Sequence, residues 1–385
     1  MATSLPAGAQ IGIIGGGQLG RLTALEARRL GYRTCVLDPD PRSPGAQVAD
    51  ERVVGSLEDA DAVRALARRV QVLTYEFENI HAGAAEVAEA LVPMHPSSSV
   101  LRIAQHRVRE KEALARLGFP VPRFAALGAR DELGGALGRL GFPLVMKTAV
   151  AGYDGRGQAV VRGPEEAERA FESLHDRSDT LILEEFVDFA MELSVICARG
   201  VDGQVACFPV VENRHRNAIL DVTLAPAEVP AAVSSRARQM AAGIAEALGV
   251  VGLLAVEMFL TRQGQLIVNE LAPRPHNSGH YTLDACCVSQ FEQLVRAVCR
   301  LPLGATDACG PAAMANLLGD LWPEGGQPDF AGALAVPGVR LYLYGKAQAR
   351  PGRKMGHLTC VADSTSAALA RVLEARSRLE RPATR

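Results

Sequence analysis

Two glutamates that face each other across a predicted hairpin are the side chains best placed to do chemistry. The stretch Leu253–His280 begins as an alternating strand, turns at Gln263–Gly264 and continues as a second strand. Glycine near the apex permits the positive φ that a two-residue hairpin loop needs. With that loop, Glu257 lies directly opposite Glu270, and both point to the same side of the sheet.

Facing carboxylates about 5 Å apart destabilise a hairpin unless a cation lies between them. Mg²⁺ is commonly held by one or two carboxylates together with substrate phosphates. Glu257 and Glu270 are therefore predicted metal ligands, and Asn269 adds a neutral oxygen, although strict alternation turns it to the opposite face. Two solvated carboxylates on an exposed hairpin are the alternative interpretation. A cation, an imidazole and an amide follow at once, namely Arg274, His276 and Asn277.

A lysine inside an apolar strand is the second chemical feature. Lys147 occupies the middle of a predicted strand at 143–150, where its charge would be costly to bury without an anionic partner. A glycine-rich segment at 152–158 follows and can fold as a lid over phosphates, with a plain flexible hairpin tip as the alternative. No Gly-Lys-Ser/Thr follows, so the segment is not a P-loop. The lysine and the lid together predict a nucleotide site.

The N-terminus offers a third candidate site for phosphate. A buried strand at 9–16 runs into a glycine turn at 15–20, a helix occupies 18–31, and the next strand ends at Asp38. This spacing matches the dinucleotide fingerprint, which leaves an NAD-dependent oxidoreductase open as an alternative. A strand, glycine turn and helix also form a general anion cradle. The oxidoreductase interpretation explains nothing after Asp38 and leaves the facing glutamates without a role.

Further elements must position these groups. A helix at 57–69, a strand at 70–77, a helix at 82–90 and a short strand at 91–94 are predicted to complete a doubly wound βαβ unit. A single helix at 100–117 follows. It carries Arg107 and Lys111 four residues apart on one face, where most such pairs are simply solvated.

The second half of the chain reads as strands with two helices. A strand at 180–187 carries Glu184 and Glu185, and Glu192 lies a few residues on. A polar loop is predicted to hold Glu212, Asn213 and His215, and helices are predicted at 231–248 and around 289–299.

A basic turn marks the segment after residue 304, which is otherwise predicted as short strands and a C-terminal helix. Four basic residues surround the turn at Pro351–Gly352, namely Lys346, Arg350, Arg353 and Lys354. A solvated turn and a phosphate pocket are equally consistent with this cluster.

Composition narrows the class of protein. At 385 residues the chain is long enough for two or three domains. Its net charge of −2, without a long basic run, argues against nucleic acid as a partner. No apolar run reaches membrane-spanning length, and the first ten residues lack signal-peptide features, so we expect a cytoplasmic protein. Eight scattered cysteines without a CxxC pair predict reduced thiols rather than disulfides or zinc.

Five motifs occur along nearly the whole chain: GGGQLGR at 15–21, TYEFENI at 74–80, GYDGRGQ at 152–158, NELAPRPHNSGH at 269–280 and ARPGRKMGH at 349–357. In this order they resemble the ATP-grasp enzymes, and more narrowly the N5-carboxyaminoimidazole ribonucleotide synthetase family of de novo purine biosynthesis. Another ATP-grasp ligase would share the ATP residues but would have no use for the GRKMGH cluster.

The resemblance implies an α/β and α+β chain with an ATP-grasp fold. The implied domains are an N-terminal doubly wound βαβ (pre-ATP-grasp) domain at 1–100, an ATP-grasp domain at 101–303 with a small lid at about 120–187, and a small C-terminal β-rich domain at 304–385. The family's activity is the carboxylation of 5-aminoimidazole ribonucleotide (AIR) with bicarbonate, which yields ADP and phosphate and passes through carboxyphosphate. A homodimer that uses ATP and Mg²⁺ is also implied.

The resemblance also assigns roles to single residues. Arg107 and Lys147 are implied to contact ATP phosphates, with Glu257 and Glu270 as metal ligands and Asn269 beside them. The lid over the phosphates comprises Gly152, Tyr153, Asp154, Gly155, Arg156, Gly157 and Gln158. The implied adenine and ribose contacts are Glu184, Glu185, Phe186, Val187, Glu192 and His215. The implied chemical centre is Tyr153, Asp154, Arg156, Arg274, His276 and Asn277. The implied AIR contacts are Gln18, Leu19, Glu76, Ser278, Lys346, Arg353 and Lys354.

Overall fold

The computed structural model describes residues 3–150 and 157–379, which form three β-sheets with helices packed on them. In these two ranges, no helix combines the length and the apolarity that crossing a membrane requires.

The N-terminal sheet has four parallel strands in the order β3-β2-β1-β4. Its strands are β1 (Gln10–Ile14), β2 (Arg33–Asp38), β3 (Glu51–Val54) and β4 (Val72–Tyr75), and its helices are α1 (Gln18–Arg29), α2 (Ala60–Ala67) and α3 (Ala82–Glu89). Helix α1 packs on one face of the sheet, while α2 and α3 pack on the other. The predicted doubly wound unit is therefore confirmed. The run of buried residues in β1 fits a strand covered on both faces.

Three details of the N-terminal prediction are wrong. Strand β3 was not predicted, because its alternately half-buried residues show no apolar run. The predicted strand at 91–94 contributes only one bridge, between Leu73 and Met94. The predicted helix at 100–117 is two helices, α4 (Ser98–Ala104) and α5 (Arg107–Arg116). His106 separates them in an extended conformation, and its side chain caps α5 by accepting the amide of Arg109.

A second, antiparallel sheet has the strand order β5-β8-β6-β7. Its strands are β5 (Phe124–Leu127), β6 (Leu144–Thr148), β7 (Gln158–Val161) and β8 (Leu181–Glu185), and helices α6 (Leu133–Leu140) and α7 (Pro164–His175) pack on it. The glycine-rich segment predicted as a lid connects β6 to β7, and its residues 151–156 lie outside the described residues.

The third sheet has nine strands and runs through the rest of the chain. They are β9 (Phe189–Arg199), β10 (Val205–Cys207), β11 (Val211–Arg216), β12 (Ile219–Ala225), β13 (Gly252–Thr261), β14 (Leu266–Ala272), β15 (Ala312–Leu318), β16 (Val339–Leu343) and β17 (Lys354–Val361). Their order is β14-β13-β9-β11-β12-β15-β17-β16, with β10 paired to β9. The helices of this part are α8 (Ala231–Ala247), α9 (Thr282–Ala285), α10 (Gln290–Val298), α11 (Phe330–Leu334) and α12 (Thr365–Leu379).

This sheet joins two stretches that were predicted as separate domains. Strand β12 pairs with β15, so the sheet is continuous across residue 303. The domain boundaries themselves stay predictions. The predicted polar loop with Glu212, Asn213 and His215 is wrong, because these residues lie on β11, in the interior of the sheet.

Gly319 holds the predicted basic turn close to the end of β15. A Cβ at this position would lie 2.2 Å from the carbonyl oxygen of Arg350 and 2.5 Å from its amide nitrogen. Both atoms are backbone and have little freedom to move. We expect Gly319→Ala to lower the free energy of unfolding by about 1–3 kcal/mol in urea denaturation.

The matched control is Gly134→Ala on the exposed face of α6, where a new Cβ meets nothing within 4 Å. Alanine is favoured over glycine in a helix by roughly 0.5–1 kcal/mol, so this variant should be slightly more stable. Equal stability changes in the two variants would contradict the close packing at Gly319.

Candidate active site

A β-bulge in the hairpin of β13 and β14 sets the geometry of the site. Glu257 pairs with Glu270, as predicted, while Met258 pairs with Val268. Asn269 is therefore the extra residue of β14. A bulge of this kind interrupts the alternation of side chains and allows neighbouring residues to share a face.

The predicted two-residue loop at Gln263–Gly264 is wrong. The amide of Thr261 donates to the carbonyl of Gln265 at 2.9 Å, which leaves three residues between them. Gly264 has a φ of 78°, the left-handed conformation that such loops need. The extra loop residue and the extra bulge residue compensate each other, and for this reason the predicted pairing of the two glutamates is still correct.

The bulge brings three oxygen-bearing side chains to one surface. Glu257, Asn269 and Glu270 all line the same cavity, although strict alternation would have turned Asn269 away. The Oδ1 atom of Asn269 is buried without a hydrogen-bond partner. Two carboxylates and an amide oxygen are hard ligands that fit Mg²⁺ when substrate phosphates complete the coordination. Within the described ranges, no group of three or more His, Cys, Asp and Glu side chains is arranged to hold a metal.

The cavity has a volume of about 930 Å³ and is lined by strands of the second and third sheets, by the start of α1 and by loops, including the one after β4. This is within the usual range for small-molecule sites, roughly 300–1,000 Å³. The predicted site residues that line it are Gln18, Leu19, Glu76, Arg107, Lys147, Gln158, Phe186, Glu192, His215, Glu257, Asn269, Glu270, Arg274, His276, Asn277, Lys346, Arg353 and Lys354.

The remaining predicted residues fall into two groups. Five of the glycine-rich segment lie outside the described residues, namely Gly152, Tyr153, Asp154, Gly155 and Arg156. The described residues that lie off the cavity wall are Gly157, Glu184, Glu185, Val187 and Ser278.

The strand lysine has the anionic partner that its burial requires. Lys147 Nζ lies 2.5 Å from Glu184 Oε2, and Lys111 Nζ lies 3.5 Å from the other oxygen of the same carboxylate. Burial alone would raise the pKa of Glu184, but Lys111 and Lys147 lower it to about 2. The side chain of Glu184 thus pairs with two lysines inside the protein, whereas the neighbouring Glu185 forms an exposed ion pair with Arg123.

Lys111 was expected on a solvated helix face, and this expectation is wrong. Its side chain is 1% exposed, and its Nζ lies 3.4 Å from Glu110 Oε1. Arg107 on the same face of α5 has its Nη1 3.1 Å from Glu270 Oε2. The spacing of the two basic residues was visible in the sequence, but nothing in it indicated that β14 covers this face.

Ion pairs hold the residues after the hairpin in place. Arg274 Nε lies 2.7 Å from Glu78 Oε1, a partner that sequence reasoning did not single out although it belongs to the TYEFENI motif. His276 Nε2 lies 2.9 Å from Glu257 Oε1. Burial opposes ionisation of Glu257, but its interaction with His276 lowers the pKa of Glu257 to about 2. The carboxylate of Glu257 therefore faces the cavity in its charged form.

Ser278 orients His276 rather than facing the cavity. Its hydroxyl lies 2.9 Å from His276 Nδ1 and 2.8 Å from the hydroxyl of Ser194, and the residue is fully buried. The neighbouring Asn277 lines the cavity, and neither of its amide side-chain atoms has a hydrogen-bond partner. A buried amide without partners is costly unless a ligand satisfies it.

A second charged pair lies beside the facing glutamates. His215 Nδ1 is 3.0 Å from Glu192 Oε2. Burial lowers the pKa of His215, but the hydrogen bond to Glu192 and the charges of Glu192 and Glu257 together raise it above its usual value. Both residues come from adjacent strands, β9 and β11, which explains why they meet although they are far apart in the sequence.

The N-terminal glycine turn is occupied by the protein's own carboxylates. Glu76 accepts the amides of Gly17 and Gly20, the latter at 2.7 Å, and Asp38 accepts the amide of Gly16 at 2.8 Å. A dinucleotide pyrophosphate would need these same amides. The turn therefore positions Glu76 at the cavity wall. Its amides are not open to bind a dinucleotide.

Basic side chains line the cavity near β17. Lys346 Nζ donates to the carbonyl of Lys354 at 2.6 Å and lies 5.6 Å from the centre of the Tyr344 ring. Arg353 Nη1 donates to the carbonyl of Gln348 at 2.9 Å. These cations line the cavity, which favours the phosphate-pocket interpretation, while Arg353 is also exposed and the role of the turn stays a prediction.

Three family models match consecutive parts of the chain. Residues 9–105 match the ribonucleotide synthetase preATP-grasp domain, residues 112–291 match the ATP-grasp domain, and residues 312–371 match the phosphoribosylaminoimidazole carboxylase C-terminal domain. The predicted fold class is therefore confirmed.

Whole-chain relatives agree with these domains. The chain is 46% identical over 355 residues to the N5-carboxyaminoimidazole ribonucleotide synthase of Bacillus subtilis, covering 91% of each chain. It is 41% identical to the synthase of Brucella melitensis, covering 94% of this chain and 99% of that one.

Solved structures show the same likeness. The chain superposes with a TM-score of 0.91 and 42% identity on an ADP complex of N5-carboxyaminoimidazole ribonucleotide synthetase, covering 99% of this chain and 100% of that one. An Aspergillus clavatus synthase in complex with ADP and 5-aminoimidazole ribonucleotide has a TM-score of 0.90 and 33% identity, with 98% and 100% covered. From the domains, the relatives and the shared fold together, the chain belongs to the N5-carboxyaminoimidazole ribonucleotide synthase family of ATP-grasp enzymes.

Proposed function

We propose that the cavity binds ATP at the end formed by Lys147 and the facing glutamates, and AIR at the end formed by the basic residues of β17 and its preceding loop. The chain is a ligase of purine biosynthesis that carboxylates AIR with bicarbonate at the expense of ATP, which is the activity of its family. The observation that supports this arrangement best is that one cavity contains both groups of charged residues.

Two cations are positioned for the phosphates of ATP. Lys147 and Arg107 line the cavity, and each is held by a carboxylate that fixes its direction. In phosphoryl transfer the protein contributes mainly by positioning groups and neutralising charge. We assign these two residues to the ATP phosphates, with the glycine-rich segment at 152–158 as the lid.

The adenosine part of ATP is assigned to the end of β8, in the antiparallel sheet β5-β8-β6-β7, which we call the lid sheet. Phe186 lines the cavity and offers an apolar surface to adenine, with backbone groups of residues 184–187 as the proposed hydrogen-bonding partners. Glu192 and His215 lie on adjacent strands and are assigned to the ribose and nucleotide side.

Glu257, Glu270 and the unpartnered oxygen of Asn269 would hold Mg²⁺. When bound, the ion neutralises charge on the phosphates and favours attack at phosphorus. In the structure Glu257 is paired with His276 and Glu270 with Arg107, so both carboxylates are already held in place.

The chemical centre is assigned to the residues that follow the hairpin. A bicarbonate oxygen attacks the γ-phosphorus of ATP, and the bond from that phosphorus to the bridging oxygen of ADP breaks, which gives carboxyphosphate. Arg274 stabilises the transferred group, and Asn277 supplies a donor and an acceptor. The AIR amine then takes the carboxyl group, and phosphate leaves. Tyr153, Asp154 and Arg156 are assigned to the same step, and the departing phosphate, Asp154 and His276 are the candidate proton acceptors.

A homodimer in the cytoplasm is proposed on the resemblance to the family. All eight cysteines are free thiols in the structure, which supports a reducing compartment. Light scattering coupled to size-exclusion chromatography tests the dimer directly.

The first test is phosphate release from ATP in the presence of bicarbonate, with and without AIR. We expect release to depend strongly on both, because carboxyphosphate is consumed by the AIR amine. If the rate of ATP hydrolysis did not depend on AIR but increased with formate or an amino acid, the chain would instead be a different ATP-grasp ligase.

The metal ligands make a second prediction. Glu270→Gln should lower turnover by about 10²–10³-fold, the usual effect of removing one group that stabilises a transition state. Circular dichroism should show an unchanged fold. The control is Glu172→Gln on the exposed face of α7, which should leave turnover unchanged. Near-normal turnover of Glu270→Gln at low Mg²⁺ would contradict the metal site.

The basic residues make a third prediction that separates AIR from ATP. Lys354→Ala should raise the apparent AIR constant by roughly ten- to a hundredfold, because a charge-assisted contact to the 5′-phosphate is lost. The ATP constant should change by less than about threefold. The two substrates are varied separately at saturating bicarbonate. Equal losses for both would place Lys354 at the nucleotide, and an unchanged AIR constant would remove its assigned role.

A further inference from the structure

Two adjacent residues of α5 hold the backbone on both sides of Glu270. Glu110 Oε2 accepts the amide of Leu271 at 2.9 Å, and Lys111 Nζ donates to the carbonyl of Asn269. Glu110 and Lys111 are 3% and 1% exposed, so neither contact competes with bulk water. The residue between the two held backbone groups is Glu270 itself.

The position of β14 explains why these contacts are needed. It is the edge strand of the nine-stranded sheet, and the bulge at Asn269 interrupts its pairing with β13. Buried backbone groups without partners are strongly disfavoured. The α5 side chains replace the missing strand at this point, as the carbonyl of Pro120 does for the amide of Val268 at 2.8 Å.

Lys111 also connects the backbone beside Glu270 to Lys147, the lysine assigned to the ATP phosphates. Lys111 Nζ lies 3.5 Å from Glu184, whose other oxygen is 2.5 Å from Lys147 Nζ. Glu184 lies on β8 of the lid sheet, and Asn269 lies on β14 of the nine-stranded sheet, which we call the large sheet. Lys111 therefore contacts both sheets at once, at the point where each presents a residue assigned to ATP.

We propose that Lys111, with Glu110 as its partner, is a positioning residue that sets Glu270 relative to Lys147. It acts through the carbonyl of Asn269 on one side and the carboxylate of Glu184 on the other, and it does not line the cavity. The inference rests on the proposed function, because it takes Glu270 as a metal ligand and Lys147 as a phosphate contact.

The test is the calorimetric affinity for ADP measured over a range of Mg²⁺ concentrations, without AIR or bicarbonate. Lys111→Met should weaken Mg²⁺-dependent ADP binding by about 10- to 100-fold, as is typical when the groups that support a metal ligand are removed. The AIR constant measured in turnover should change by less than about twofold, since no AIR contact is altered. Lys111→Arg keeps the charge and donors and should restore most of the affinity.

A double-mutant cycle distinguishes positioning from general damage. If Lys111 acts through Glu270, adding Lys111→Met to Glu270→Gln should cause much less further loss than it causes alone, because the ligand that it positions is already impaired. Additive losses, or equal losses for ADP and AIR, would overturn the proposal.

A second variant keeps the test decisive if Lys111→Met does not fold. Glu110→Gln preserves the shape but removes the charge beside Lys111, and it should weaken Mg²⁺-dependent ADP binding by about tenfold. Its control is Glu112→Gln, two residues along α5 and exposed, which should bind ADP normally. Normal binding by Glu110→Gln would overturn the proposal.

Failure of the assigned metal site would give a different result. If Glu270→Gln bound ADP with unchanged Mg²⁺ dependence, the metal assignment itself would be wrong. If Glu270→Gln weakened binding while both α5 variants left it unchanged, the metal assignment would stand and only the positioning role would be lost.

Discussion

Two like charges that face each other inside one hairpin are the constraint on which the site depends. Glu257 and Glu270 are paired across β13 and β14, and facing carboxylates are unfavourable unless other groups compensate them. His276 serves Glu257 at 2.9 Å, and Arg107 serves Glu270 at 3.1 Å. His276 follows the hairpin in the chain, whereas Arg107 belongs to helix α5, outside the hairpin. Neutralising the pair therefore requires α5 to dock on the edge of the sheet.

Docking α5 has consequences beyond the pair. The helix brings Lys111 into the protein interior, where a lysine without a carboxylate would cost about 3–5 kcal/mol. Glu184 supplies that carboxylate and shares it with Lys147, so the lid sheet and the large sheet are tied through one buried group of charges. The continuity of the large sheet from β12 to β15 then carries the basic residues to the wall of the same cavity.

The chemistry of this site could be predicted where it depends on residue type and local spacing. The need of Lys147 for an anion and the glycine turn before α1 both follow from local patterns. The hairpin prediction was correct in its pairing although its loop was wrong, because the bulge at Asn269 restores the register that a longer loop shifts. No local pattern reveals a bulge of this kind, since its extra residue is accommodated by α5.

The sequence by itself determined the family and the residues that bear charge or oxygen ligands. Motif spacing encodes these directly, because they depend on neighbours within a few residues. The tertiary structure alone decided which charged groups are buried and which partners they have. Lys111 pairs with Glu184, Arg274 pairs with Glu78, and Glu76 accepts the amides of the glycine turn. Charged pairs between distant segments are set by packing of whole elements, and a charged residue looks the same in sequence whether solvent or another sheet covers it.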